Sequence, residues 1–289
     1  MSDNTRRWID LHLHSTASDG AHPPAMVVEL SHVRGLSAIA LTDHDTVAGL
    51  DEAQQAARRT GIDFIPGIEL EATFRKKRLH LLGYFIDPSS ETLTTSLTDM
   101  IRWRHERNEQ IVAKLKSLGI TLDYEAIRAR HPNAAIGRPH IADELMRQHV
   151  VSGFQQAFTR YLGSDAPAYV PRRSLEADQA IDIIRRAGGV ASLAHPSRVN
   201  CQSTLELSTL VSGLVDVGLG AIEVQHPDHS PEQSQLYAGL ADRYRLAMTG
   251  GSDFHSLGRT ISRGTGFAKL RVPEEWLHAL RERAERREP

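Results

Sequence analysis

The sequence is poor in several features that would assign it to a class of protein. Its 289 residues include one cysteine, Cys201, which excludes both an internal disulfide and a zinc site built on several thiolates. It has no apolar run of about 18 residues that could span a bilayer, and its first residues form no apolar signal core, so we expect a cytoplasmic protein. Acidic and basic residues nearly balance, at 36 against 34, which excludes a globally basic nucleic-acid-binding protein.

The residues that are present are those of an ordinary folded chain, with one exception. Hydrophobic residues make up 40% and charged residues 24%, values typical of globular proteins. Histidine is the exception, with 15 residues. Because thiolate ligands are excluded, any metal bound by this chain has to be held through nitrogen and oxygen atoms.

Strand and helix patterns alternate over both ends of the chain. Residues 8–14 alternate apolar and polar, as a strand does, and residues 37–42 form the continuous apolar run of a strand covered on both faces. Helical patterns end at glycines, as at Gly61. This repetition predicts an α/β fold with a mostly parallel sheet.

The middle of the chain has a different pattern. Residues 91–162 are helical in pattern with no clear strand. We therefore predict one α/β domain from residues 1–90 and 163–289, interrupted by a helical insertion at 91–162.

Six histidines and three acids fall at strands or in the loops just after them, mostly at strand carboxyl ends. In a parallel α/β barrel those ends form the active-site face. A lone histidine at a strand end is more often structural than a metal ligand, but many buried titratable groups together are costly unless metals pair them. The nine candidate ligands are His12, His14, Asp19, His44, Glu69, His80, His195, Asp253 and His255.

Nine candidates are more than one ion can bind, since a four-coordinate ion takes about four protein ligands. The sequence therefore predicts two or three divalent ions per chain. Imidazole and carboxylate ligands favour Mn, Zn or Fe, and suit Mg less well. Glu69 is the candidate bridging ligand, because a glutamate can offer one oxygen to each of two ions. Paired ions of this kind activate water and bind phosphoryl oxygens, which predicts a phosphoesterase.

Five motifs occur in the order found in a known family. They are DLHLHSTASDG at 10–20, LTDHDT at 41–46, PGIE at 66–69, LAHP at 193–196 and GSDFH at 251–255. Together they resemble the motifs of the polymerase and histidinol phosphatase (PHP) family, and the resemblance covers most of the chain.

The resemblance implies a distorted (β/α)7 TIM-like barrel that holds a site for three metal ions, with Mn²⁺ as the expected metal.

 
It also implies which side chains share an ion. His12, His14, Glu69 and Asp253 would bind the first ion. Glu69, His80 and His195 would bind the second, and Asp19, His44 and His255 the third. Asp253 is also a candidate for proton transfer in place of metal binding. His195, Asp253 or a metal-bound water would supply the proton that the leaving 3′-oxygen needs.

The helical insertion makes the resemblance more specific. It is similar to that of a subgroup of nucleoside 3′,5′-bisphosphate phosphatases, close to bacterial proteins that also trim short RNA from its 5′ end. The segment Gly137-Arg138-Pro139-His140 carries this part of the resemblance. Because arginine binds phosphate through two parallel hydrogen bonds, Arg138 and Arg198, with His140, are candidates for binding the 5′-phosphate. His226 follows a strand at the same edge and is a further candidate for substrate binding.

The sequence thus predicts a metal-dependent hydrolase that removes the 3′-phosphate from nucleoside 3′,5′-bisphosphates. Its partner would be this nucleotide or a short 5′-phosphorylated oligonucleotide, with no membrane and no obligate protein partner. Zn²⁺, Fe²⁺ and Mg²⁺ are alternatives to Mn²⁺. Three other functions stay open: 5′–3′ trimming of short RNA, hydrolysis of histidinol phosphate, and a noncatalytic module that has lost its metals.

Overall fold

The computed structural model describes residues 7–131, 136–256 and 270–286. The chain divides into two compact units. The first, here called the barrel unit, comprises Met1–Thr95 and Leu175–Pro289, and the second, the helical unit, comprises Ser96–Ser174. The sequence had placed the helical insertion at 91–162.

The strands of the described chain all belong to the barrel unit. They are β1 (Trp8–Leu13), β2 (Leu36–Leu41), β3 (Asp63–Phe74), β4 (Lys77–Tyr84), β5 (Leu175–Glu176), β6 (Val190–Leu193), β7 (Ala221–Gln225), β8 (Ala247–Gly250) and β9 (Val272–Pro273).

The helices cover the strands in the first unit and make up most of the second. They are α1 (Pro24–Val33), α2 (Leu50–Thr60), α3 (Glu91–Ser117), α4 (Tyr124–Arg130), α5 (Arg138–Arg147), α6 (Phe154–Ala157), α7 (Ala177–Arg186), α8 (Thr204–Asp216), α9 (Pro231–Tyr244) and α10 (Glu274–Glu285). A π-helical turn, Phe158–Leu162, follows α6, and a 3₁₀ turn, Pro196–Arg198, follows β6. No helix of the described chain combines the length and the apolar character needed to cross a membrane.

The strands form a nearly closed barrel in the order β8-β7-β6-β4-β3-β2-β1-β9, with β5 paired to β3. A parallel bridge between Leu13 and Phe254 brings the segment after β8 beside β1. Most neighbouring strands are parallel, and alternate side chains such as Ile9, Leu11 and Ile65 are buried in the core. The predicted distorted TIM-like α/β barrel is confirmed.

Strand β4 departs from the expected pattern. It runs antiparallel to both β3 and β6, so its first residues lie at the edge where the parallel strands end. His80 therefore reaches that edge from the first half of a strand, whereas its companions lie in or after strands that run the other way. The β3–β4 turn consists of Arg75 and Lys76, whose φ angles of 50° and 66° are those of a tight two-residue hairpin.

The helical unit has a separate apolar core. Its larger cluster includes Ile111, Leu115, Ile141 and Leu145 from α3 and α5. Asn108 is fully buried beside this core, and its amide donates hydrogen bonds to the Tyr124 hydroxyl at 3.1 Å and to a backbone carbonyl at 2.9 Å. These bonds satisfy the amide nitrogen of Asn108, which would otherwise be costly to bury.

Candidate metal centre

Four buried side chains converge at the edge of the barrel formed by β1, β3 and the loop after β8. The Nε2 atoms of His12 and His14 each lie 3.2 Å from Oε2 of Glu69. The same two nitrogens lie 3.4 and 3.2 Å from Oδ1 of Asp253. Two nitrogens and two carboxylate oxygens thus face one point.

These spacings suit a divalent ion. Ligand atoms about 2.1 Å from a tetrahedral ion lie about 3.4 Å from one another. Neither ring nitrogen of His14 makes a hydrogen bond within the described chain, although both are fully buried. An ion at the shared point would give these buried nitrogens and carboxylate oxygens a common partner.

Glu69 presents its two oxygens to different histidines. Oε2 faces His12 and His14, and also His44, whose Nδ1 lies 3.3 Å away. Oε1 lies 2.7 Å from Nδ1 of His80 and 3.0 Å from Nε2 of His195. With one oxygen facing each set of histidines, Glu69 would be able to bind two ions.

A third group forms around Asp19. Its Oδ1 lies 3.1 Å from Nε2 of His255 and 3.8 Å from Nδ1 of His14. One ligand atom from each of Asp19, His14, His44 and His255 lies within 4.8 Å of the others. Eight of the nine sequence-predicted ligands therefore lie in three adjoining groups, which share His14, His44 and Glu69. The ninth, His195, lies outside these groups and contacts them through Oε1 of Glu69.

The carboxylates of the first group favour the protonated form of its two histidines. Burial lowers the pKa of His14, but Asp253 and Glu69 outweigh it and raise that pKa to about 10. The pKa of His12 is also raised, because Glu223, Glu69 and Asp253 outweigh its burial. A metal that binds here displaces protons that these carboxylates stabilise on the two histidines.

Other ligand candidates are already in the form that binds metal. Burial lowers the pKa of His44 and of His195 to about 4, which leaves both imidazoles neutral at pH 7. Burial acts to raise the pKa of Glu69 and of Asp253, but the surrounding histidines outweigh it and hold both well below their usual values. Neutral imidazoles and ionised carboxylates suit Mn, Zn or Fe.

Unusual backbone conformations position two of the candidates. His195 has a φ of 26° and Asp253 a φ of 51°, a region that residues other than glycine rarely adopt. Gly251 permits the approach of the loop after β8 to β1, because a Cβ there would lie 2.4 Å from the backbone nitrogen of His12. Strain of this kind is concentrated at functional sites.

Glu223 is a residue of the site that the sequence prediction missed. It is fully buried on β7, with Oε1 3.0 Å from Nδ1 of His12 and Oε2 accepting a 2.6 Å hydrogen bond from the backbone N–H of His195. It therefore orients two of the candidate ligands. A single acid within the apolar strand 221–224 is the sequence signal that could have identified it.

Asp43 has a comparable role in the loop that carries Asp19. Its carboxylate accepts hydrogen bonds from the backbone N–H and hydroxyl of Ser15, at 2.8 and 2.6 Å, and from the hydroxyl of Ser18 at 2.5 Å. These bonds fix the loop between β1 and α1, and with it the position of Asp19.

Arg198 and His226, both predicted to bind substrate, lie at the same edge. The guanidinium of Arg198 donates at 2.8 Å to Asp253 and at 2.8 Å to Asp228. Nδ1 of His226 accepts a hydrogen bond from the backbone N–H of Asp228 at 3.0 Å, which leaves Nε2 facing Oδ2 of Asp253 at 3.5 Å. Both residues therefore contact the carboxyl group of Asp253.

Arg138 and His140, the other predicted substrate ligands, belong to α5 of the helical unit. Arg138 donates to the carbonyl of Leu162 at 3.0 Å, and its guanidinium lies over the Phe158 ring. Nδ1 of His140 accepts a hydrogen bond from the backbone N–H of Gly137 at 3.2 Å. Their part in phosphate binding stays a prediction.

Comparison with known proteins agrees with this geometry. Residues 10–169 match the model of the PHP domain. The chain is 36% identical over 251 residues to a 3′,5′-nucleoside bisphosphate phosphatase from Chromobacterium violaceum, covering 86% of this chain and 88% of that protein. It is 35% identical over 246 residues to a 5′-3′ exoribonuclease from Haemophilus influenzae, covering 85% and 89%.

The fold is also similar to that of a solved protein from Bifidobacterium adolescentis that has been assigned to the metal-dependent phosphoesterases. The TM-score is 0.83 at 29% identity, and the match covers 96% of each chain. Fold, motifs and clustered ligands therefore lead to the same conclusion. The chain belongs to the PHP domain family and is a metal-dependent phosphoesterase.

Proposed function

We propose that the enzyme removes the 3′-phosphate from nucleoside 3′,5′-bisphosphates, giving a nucleoside 5′-monophosphate and phosphate. The observation that carries this proposal is the position of Glu69, whose two oxygens face separate sets of histidines. It is supported by the similarity to the phosphatase from C. violaceum over most of both chains. We further propose Mn²⁺ as the metal and the cytoplasm as the place of action.

The chain would hold its ions through the three ligand groups described above. When bound, the ions make water more acidic and neutralise the charge of the phosphoryl oxygens. Asp253 and His195 are the proposed proton-transfer residues. Because the pKa of each is lowered, both are unprotonated at neutral pH. Either side chain, where it does not bind an ion, would take a proton from the attacking water and pass it to the leaving 3′-oxygen.

The remaining predicted residues would bind the rest of the substrate. We propose Arg138, His140 and Arg198 as ligands of the 5′-phosphate, and His226 as a residue that positions the substrate. Arg198 can hold both Asp253 and an anion, because a guanidinium has five N–H donors.

A second activity, 5′–3′ trimming of short RNA, would hydrolyse the same kind of bond. Hydrolysis of the 3′-oxygen–phosphorus bond releases phosphate from a bisphosphate, and a shortened chain from an oligonucleotide. The similarity to the exoribonuclease from H. influenzae favours this activity.

Phosphate release and chain shortening measured under Mn²⁺ test these proposals. The substrates are adenosine 3′,5′-bisphosphate, adenosine 5′-monophosphate, histidinol phosphate and a 5′-phosphorylated dinucleotide. We expect hydrolysis of the first and the last. Preference for histidinol phosphate would overturn the substrate assignment, and the absence of bound metal by elemental analysis would identify a noncatalytic module.

A further inference from the structure

A cavity of about 550 Å³ lies beside the metal centre in the barrel unit. It is bounded by the β3–β4 hairpin and by the loop that follows β6. His80 and His195, both candidate metal ligands, form part of its wall. A substrate held at these histidines therefore has the cavity as its neighbour.

The lining of the cavity is cationic. Lys76, Lys77 and Arg78 contribute from the hairpin and Arg198 from the loop, and no carboxylate is among the lining residues of the described chain. An anion is the ligand that such a wall would attract.

Carboxylates outside the lining already compensate three of these four cations. Lys77 lies 2.8 Å from Glu206, and Arg78 lies 2.8 Å from Glu71. Arg198 is held by Asp228 and by Asp253, as described above. These pairs fix the side chains and reduce the charge that they offer to a ligand.

Lys76 differs from the other three cations. Its side chain is exposed, and it makes no ion pair or hydrogen bond with any residue that the structure describes. The hairpin turn fixes its backbone at a φ of 66°. Binding an anion would therefore require ordering only of the Lys76 side chain, because its backbone already belongs to the hairpin turn.

We propose that this cavity is the subsite for a second phosphate group of the substrate, and that Lys76 binds that phosphate. The inference rests on the proposed function, since the scissile phosphate must occupy the neighbouring metal centre. The second phosphate is either the 5′-phosphate of the same nucleotide or the phosphodiester that follows the scissile bond. A lysine binds either as a point charge and reads no base.

The chain offers a matched control in the same turn. Arg75 precedes Lys76, also has a positive φ, and carries the same charge, but it lies over the Phe74 ring and does not line the cavity. Lys76→Gln and Arg75→Gln therefore remove one charge each, with similar backbone demands, and only the first alters the cavity.

Two pairs of substrates distinguish the two sources of the phosphate. Adenosine 3′,5′-bisphosphate and adenosine 3′-monophosphate differ by the 5′-phosphate. The 5′-phosphorylated adenosine trinucleotide and dinucleotide differ by the following phosphodiester. We expect Lys76→Gln to raise KM about tenfold for the member of one pair that carries the extra phosphate, the usual effect of losing a hydrogen bond to a charged group. Arg75→Gln should leave KM within about twofold of the wild type for all four substrates.

If Lys76→Gln raises KM only for the bisphosphate of the first pair, the cavity binds the 5′-phosphate. If it raises KM only for the trinucleotide of the second pair, the cavity binds the following phosphodiester. The proposal is overturned if Lys76→Gln raises KM equally for all four substrates or leaves it unchanged. It is also overturned if Arg75→Gln raises KM in the same way.

Binding measured by calorimetry separates this proposal from the proposed function. If the wild type hydrolyses none of the four substrates, the proposed function fails, but their affinities can still be compared between wild type and Lys76→Gln. About tenfold weaker binding of only the member with the extra phosphate supports the subsite. Unchanged affinities overturn it.

Discussion

The two units of the molecule each bury a glutamate, and they compensate it in different ways. In the helical unit, Glu144 is paired with two arginines, Arg130 and Arg147. In the barrel unit, the carboxylate of Glu69 faces five histidines, and no lysine or arginine of the described chain pairs with it. An arginine always supplies a full positive charge, whereas an imidazole supplies one only when it is protonated.

The histidines of the two units differ in the same way. In the helical unit, Nδ1 of His105 lies 2.8 Å from the Tyr124 hydroxyl, and Nδ1 of His140 accepts from a backbone N–H. At the candidate metal centre of the barrel unit, ring nitrogens face carboxylate oxygens that are shared with other histidines. The comparison teaches that the partners of a histidine, more than its burial, distinguish a ligand candidate from a structural residue.

Exchanging the two glutamates for glutamine should give the largest difference between the units. Glu69→Gln removes the charge shared by the ligand groups, so we expect loss of bound metal and a fall in activity greater than the roughly 100-fold typical of losing an outer partner of a ligand. Glu144→Gln is the control, and should lower the free energy of unfolding by about 1–3 kcal/mol with its metal content unchanged. Elemental analysis measures the metal content of each variant, and thermal unfolding measures its stability. Retention of all metal by Glu69→Gln would contradict the ligand assignment.

Lowering the pH should weaken metal binding at the barrel unit. In the metal-free chain the pKa of His14 is raised to about 10 and that of His12 is also raised, so below that pH a metal must displace protons. We expect the Kd for Mn²⁺ to increase about tenfold per pH unit, for each proton displaced, as the pH falls from about 8 to about 6. His44 and His195, with pKa values of about 4, add nothing in this range. Calorimetry in buffers of different ionisation enthalpy counts the protons, and a Kd independent of pH would refute the competition.

Glu223→Gln should give a smaller effect of the same kind. The amide retains the shape of the side chain but loses the charge that holds His12 and the backbone of His195. We expect metal affinity to fall by about 10- to 100-fold, the range for partners that orient metal ligands. Metal titration followed by elemental analysis gives the affinity, and restored activity at high Mn²⁺ would show that the residue acts through the ligands. An affinity equal to that of the wild type would leave Glu223 with a packing role only.

Much of the barrel and its candidate ligands could be predicted from local patterns. The alternation in residues 8–14 indicated β1, the apolar run at 37–42 indicated β2, and Gly61 ends α2 as a left-handed residue with a φ of 77°. The histidines stood out because they follow such segments. Period-two and period-3.6 patterns report which face of an element is buried, and that was sufficient here.

Other features depend on contacts between distant parts of the chain. Periodicity carries no strand direction, so the antiparallel course of β4 was not predictable from it. The pairing of Arg198 with Asp253 joins residues 55 positions apart, and Glu223 contacts His12 across 211 positions. The positive φ of His195 and Asp253 is likewise imposed by the surrounding fold, since neither residue favours that conformation by itself.

The antiparallel hairpin of β3 and β4 has a consequence for the order in which the site forms. Glu69 and His80 are 11 residues apart in sequence, whereas His195 is 126 residues from Glu69. Closing a short loop costs less entropy, and hairpins form in about 1–10 μs. Two ligands therefore meet as soon as this hairpin forms, before β6 and β8 supply the rest.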